Sequence, residues 1–130
     1  MKTRQNLHMH STYDDGRDSC ADMLEACQRA GLISAGISLH SPLPFKTDWT
    51  PDLSAIPEYL RELDALKKRF GTSFRVLTGI EWDVQSDPSM LNGFDYVIGS
   101  SHYFCINGEY FPIDSSHDHF KKCLDMFSYD

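Results

Sequence analysis

The chain has 130 residues, 41% of them hydrophobic and 24% charged, the make-up of a single globular domain with one core. A formal net charge of −7 argues against the broad basic face on which polyanion binders rely, so nucleic acid is not an expected partner. No run approaches the roughly 20 apolar residues that span a bilayer, and Met1-Lys2-Thr3-Arg4-Gln5-Asn6 lacks the apolar stretch of a secretory signal; the expected setting is the cytoplasm, with no membrane partner.

In chain order, Asn6-Leu7-His8-Met9-His10-Ser11 reads as a short strand that runs straight into a loop. Ser19 and Asp22 form a Ser-x-x-Asp capping pattern, and Cys20, Met23, Leu24 and Cys27 recur at helical spacing until Gly31, which predicts an amphipathic helix. Ala35 to Leu39 is a second strand, ending at His40 in a loop punctuated by Pro42, Pro44 and Pro51. A longer helix is expected from about Asp52 to Phe70, with Leu53, Ile56, Leu60, Leu63, Leu66 and Phe70 as its stripe. Phe74 to Ile80 is a third strand delivering Glu81, and Tyr96 to Ser100 a fourth delivering His102. Asn107-Gly108 is a two-residue hairpin signal, and a last helix from Ser115 has Phe120, Cys123, Leu124 and Phe127 as its inward face. Alternating strands and helices predict an α/β fold with parallel strands, because a parallel pair needs a crossover. The four cysteines show no paired spacing and read as reduced packing residues.

His8, His10, His40, Glu81 and His102 all fall at or just beyond the ends of predicted strands, the edge at which α/β barrels assemble active sites. An isolated His-x-His is more often a surface pair than a ligand pair. Two further imidazoles and a carboxylate at the same edge turn the balance toward a metal cluster, and mixed nitrogen and oxygen ligands suit zinc, iron or manganese. Such ions polarise a phosphoryl oxygen and lower the pKa of bound water toward about 7, so hydroxide rather than a side chain is the expected nucleophile. A phosphate ester is the expected substrate.

Leu7-His8-Met9-His10-Ser11-Thr12-Tyr13-Asp14-Asp15-Gly16, Gly36-Ile37-Ser38-Leu39-His40-Ser41-Pro42, Thr78-Gly79-Ile80-Glu81 and Val97-Ile98-Gly99-Ser100-Ser101-His102 resemble, in order, the motifs of the PHP family. The hairpin from His102 to Asp114 resembles the histidinol-phosphatase branch rather than the polymerase-associated modules. The resemblance covers essentially all of residues 1–130 and implies one PHP domain: the N-terminal half of a distorted (β/α)7 barrel that holds up to three divalent ions when complete. It implies hydrolysis of L-histidinol phosphate to L-histidinol and phosphate in histidine biosynthesis. It further implies that His8 and His10 bind one metal, that Glu81 bridges it to a second bound by His102, and that Asp15 and His40 bind a third. Asp15, beside Gly16, also suits an Asx turn. Arg17 is the nearest residue that could clamp a phosphate.

Two departures bear on these expectations. The family usually has Asp before the second-motif histidine, where this chain has Leu39, which predicts a less firmly held His40. The family barrel is also about twice as long, and its later histidine and Asp-x-His motif have no counterpart before Asp130. A half barrel alone is expected to retain metal weakly and turn over little, and two copies completing one another's sheets would cover its open edges. The alternatives are a PHP phosphoesterase acting on another small ester or on nucleic-acid ends, and a non-catalytic fragment that binds metal or a partner. His117 and His119 are expected to be exposed, Asp83, Asp87 and Asp114 to serve turns, and Trp49 and Trp82 to pack, with Trp82 able to wall the site.

Overall fold

The computed structural model describes residues 4–126. Four parallel strands, β1 (Gln5–Asn6), β2 (Ser34–His40), β3 (Arg75–Asp83) and β4 (Tyr96–Ser100), form one sheet in that spatial order. Helix α1 (Cys20–Arg29) joins β1 to β2 and α2 (Ile56–Phe70) joins β2 to β3. Beyond β4, strands β5 (Tyr103–Ile106) and β6 (Glu109–Pro112) make an antiparallel hairpin, followed by α3 (His117–Met126). The fold is α/β, a curled parallel sheet making up part of a barrel, as the sequence predicts. Among the described residues no strand pairs with the outer edge of β1 or β4.

The core lies between the helices and one face of the sheet. Alternation along β2 turns Ala35, Ile37 and Leu39 toward Leu24 and Cys27 of α1 and Tyr59, Leu63 and Leu66 of α2, all buried. Leu24 and Leu63 are fully enclosed, and each such side chain contributes about 1.5–3 kcal/mol by leaving water. Every residue of β2 is buried, because the opposite face is covered too. Ser19 caps α1 as predicted: its hydroxyl accepts the Asp22 N–H at 3.1 Å. Asn107 (φ 52°) and Gly108 (φ 84°) turn the hairpin in the left-handed region, as an Asn-Gly pair should.

Three details differ from expectation. The first strand is only Gln5–Asn6, because the Asn6 side chain accepts the His8 N–H at 3.2 Å and draws the chain out of the ladder. On α2, Leu53 stays exposed in a 3₁₀ turn, and the place in the core is taken by Tyr59, whose hydroxyl lies 2.8 Å from Ile37 O and 3.0 Å from Gly79 O. On α3 only Cys123 is buried, while Phe120 and Leu124 are exposed. The helical period is right there, but among the described residues nothing covers the rest of that face; Phe127 lies outside them.

Candidate metal centre

The sheet face turned away from the helices carries the site. His40 and Glu81 pair directly across β2 and β3, so both project to the same side at the strand ends, and Asp83 follows Glu81 on that side. His102 follows β4 by two residues. His8 and His10 come from the stretch after β1, which regains the sheet where Ser38 N–H donates to Met9 O at 2.8 Å. Below them, Tyr96 lies flat across β3 and β2. Its ring fills the space over Gly79 and Gly36, where an added Cβ would stand 2.1 Å from Tyr96 Cζ and 2.5 Å from Tyr96 Oη respectively. The Tyr96 hydroxyl then donates to Leu7 O at 2.7 Å and holds the chain entering His8.

Four imidazoles converge on the buried Glu81 carboxylate. His8 Nε2 lies 2.9 Å, His10 Nε2 3.2 Å and His40 Nδ1 3.5 Å from Oε2, while His102 Nε2 is 3.5 Å from Oε1. Asp15 Oδ1 faces His40 Nε2 at 3.7 Å and His10 Nδ1 at 3.9 Å. The donors fall into three groups whose ligating atoms lie within 4.8 Å of one another: His8, His10, Glu81; His40, Glu81, His102; and His10, Asp14, Asp15, His40. Two ligands at about 2.0–2.2 Å on a tetrahedral zinc are roughly 3.3 Å apart, so these spacings suit shared cations.

Neighbouring carboxylates orient two of the rings. Burial alone would raise the Asp14 and Asp83 carboxyls. Hydrogen bonds hold both below the usual range instead, from His10 and the backbone of His40 and Ser11 in one case, and from His102 and Gln85 in the other. An ionised carboxylate only accepts, so His10 Nδ1 donates to Asp14 at 3.0 Å and His102 Nδ1 to Asp83 at 2.9 Å. Each Nε2 is thereby aimed at Glu81, where a lone pair facing a carboxylate oxygen needs a proton or a metal between them. Without metal both rings are shifted toward the protonated form: the Asp83 hydrogen bond raises His102 above 6.5, and for His10 burial, which lowers it, is outweighed by Asp14, Asp15 and Glu81. His40 is lowered by burial and by His10, stacks on the His10 ring at 4.1 Å, and its buried Nδ1 has no hydrogen-bond partner. A neutral, buried, unpartnered ring nitrogen beside a carboxylate fits a cation ligand.

All five strand-end residues, His8, His10, His40, Glu81 and His102, come together, and Asp15 joins them. Arg17 is exposed and is not among the residues lining the cleft beside the histidines. That cleft, about 310 Å³, is bounded by Asp15, His40, Trp49, His102, Tyr103 and Asp114. His117 and His119 are exposed as expected. The wall is Trp49, 4.7 Å from the His40 ring and 4.9 Å from that of His102, rather than Trp82. Asp83 is not a plain turn residue, since it holds both the backbone and the ring of His102; its place two residues after Glu81 on one strand is the signal that puts it there. Leu39 points away from the His40 ring. Its side chain lies in the helix-covered core, and the His40 ring stacks on His10 and meets Trp49 edge to face.

The family model of the PHP domain matches residues 6–128. The chain belongs to the PHP family. Among curated PHP-bearing relatives, it is 36% identical over 104 residues to the DNA polymerase/3'-5' exonuclease PolX of Bacillus subtilis, and 33% identical over 89 residues to a probable histidinol-phosphatase of Deinococcus radiodurans. These matches cover 75% and 61% of this chain but only 18% and 34% of the relatives. Both branches are thus represented, and identity does not separate them. The fold matches a Listeria monocytogenes protein assigned as a histidinol phosphatase (TM-score 0.78, 18% identity, covering 90% of this chain and 52% of that one). It also matches histidinol phosphate phosphatase from Lactococcus lactis, solved with zinc, L-histidinol and phosphate (TM-score 0.64, 20% identity, covering 82% and 42%). This PHP chain therefore spans about half the length of either solved protein. No helix among its described residues is long and apolar enough to cross a membrane.

Proposed function

We propose that this PHP chain carries the shared-carboxylate part of a metal-dependent phosphomonoesterase site, with L-histidinol phosphate as substrate in histidine biosynthesis. The observation that carries the reading is the convergence of four imidazoles on Glu81 with His40 Nδ1 left unpartnered. His8 and His10 would hold one ion, Glu81 would bridge it to a second held by His102, and Asp15 with His40 would hold a third; His40 is near enough to Glu81 to serve the second as well. Zinc is the ion present in the Lactococcus structure, and the donors here suit zinc, manganese or iron. When bound, such ions supply Lewis-acid charge to a phosphoryl group. The protein's own part is to orient the His10 and His102 rings through Asp14 and Asp83 and to shield one side of the site with Trp49. The rest of the ligand set would come from the remaining half of a barrel or from a second copy meeting the open β4 edge.

A second reading, a PHP module acting on nucleic-acid ends, is favoured by the similarity to PolX, while the net charge of −7 favours the small substrate. Elemental analysis should find more than one zinc per chain, lost in the His8→Ala/His10→Ala variant. With zinc present, faster phosphate release from L-histidinol phosphate than from a 3′-phosphorylated oligonucleotide supports the first reading, and the reverse order the second. A chain that takes up no zinc sinks both.

A further inference from the structure

We propose that Asp14 is a positioning residue for the metal centre, a clamp that sets the His10 ring and ties the backbone of His40 to the same carboxylate. This rests on the metal-site reading above. His10 lies on a stretch with little sheet support, since the ladder ends at Asn6 and returns only at the Met9 carbonyl. Something else must fix its ring. Asp14 Oδ2 accepts His10 Nδ1–H at 3.0 Å and the His40 N–H at 2.9 Å, and Oδ1 accepts the Ser11 N–H at 3.0 Å. One carboxylate thus joins the first histidine motif to the end of β2.

The local turn explains how Asp14 reaches back. Asp14 N–H and Gly16 N–H both donate to Ser11 O at 3.0 Å, folding the loop under His10. Gly16 is required there, because an added Cβ would lie 2.3 Å from Ser11 N. Adjacent acidic residues then divide the work. The Asp14 side chain is 0% exposed with both oxygens engaged, whereas Asp15 is 50% exposed and open to a cation arriving from solvent. Asp14 is therefore not a ligand itself; it decides which His10 nitrogen is offered, as carboxylate partners of metal-bound imidazoles do.

The test is zinc affinity, measured by competition with a chromogenic chelator, together with the absorption spectrum of the cobalt-substituted protein. Asp14→Asn should weaken zinc binding about 10- to 100-fold and change the cobalt spectrum. In a His10→Ala background the same substitution should cost less than about threefold, because the ring it acts through is gone. Wild-type affinity in Asp14→Asn, or an undiminished loss in the His10→Ala background, overturns the proposal. A measurement needing no variant is the nitrogen-15 correlation spectrum of the zinc-free wild type at a pH high enough for His10 to be neutral, where the ring should carry its one proton on Nδ1; a neutral ring protonated on Nε2 instead also overturns the proposal. Zinc binding by the wild type with any of these three negative results sinks the clamp alone, whereas no zinc binding at all sinks the metal reading and the clamp with it.

Discussion

The fit of Tyr96 over two glycines gives a sharp mutational test. In Gly79→Ala the new methyl would stand 2.1 Å from Cζ and 2.5 Å from Cε2 of Tyr96, so the ring must move by more than an ångström. Sliding toward β2 is blocked, since Gly36 already approaches the ring as closely as a glycine allows. Overpacking of this kind costs about 1–3 kcal/mol, and losing the hydroxyl's bond to Leu7 O adds about 0.5–1.5 kcal/mol. Alanine returns about 0.5–1 kcal/mol through its lower chain entropy in a strand. The net expectation is a loss of about 0.5–4 kcal/mol, read as a lower urea midpoint with an unchanged slope. In a Tyr96→Ala background Gly79→Ala should instead be neutral or slightly stabilising. Equal cost in both backgrounds would refute the account, because the penalty would then have nothing to do with the ring.

Other expectations follow from single contacts. Ser19→Ala removes the cap of α1 and should lower stability by about 0.5–2 kcal/mol, measured by thermal unfolding. Tyr59→Phe deletes a hydroxyl shared by two carbonyls of neighbouring strands and should cost about 1 kcal/mol while leaving zinc affinity unchanged. Zinc affinity should fall as pH drops through the raised values of His10 and His102, beginning above 6.5, because protons and metal compete for the same nitrogens. For the zinc-free protein these two groups have the opposite sign: their paired imidazoliums contribute stability fully below 6.5, and it is lost as pH rises through the folded-state values. His40, lowered from 6.5, opposes them on the acid side. A titration of Tm with and without zinc should therefore show the two curves diverging upward in pH; parallel curves would show that these imidazoles are not the ligands.

The sequence exposes most of what periodicity and chain punctuation control. Helix α1, its Ser19 cap, strands β2 to β4 and the Asn107-Gly108 turn are all readable, because local propensity and fold agree there. The strand-end rule likewise brings His8, His10, His40, Glu81 and His102 to one edge. What it does not expose is decided by contacts between distant segments. Asp14 resembles any turn aspartate until His40 arrives beside it, and Trp49 lies in a proline-rich loop with no periodicity to show that it meets the rings of His40 and His102. Tyr96 looks like an ordinary strand residue; its role is visible only once Gly36 and Gly79 share one face of adjacent strands. Leu39 shows the converse, since motif comparison makes its identity a concern and simple alternation turns it away from the site.

The order β1-β2-β3-β4 has a further consequence for how such a protein is made. Each strand joins the outer side of the one completed just before it, and none must be inserted between two earlier strands. As the chain emerges from the ribosome, every new unit can dock on finished structure, without waiting for a distant segment to close a gap. The growing rim is always the newest strand, here β4, with Val97 still 47% exposed. Growth of the sheet therefore proceeds at one edge, and a strand added after β4 would extend that edge without disturbing the pairs already made.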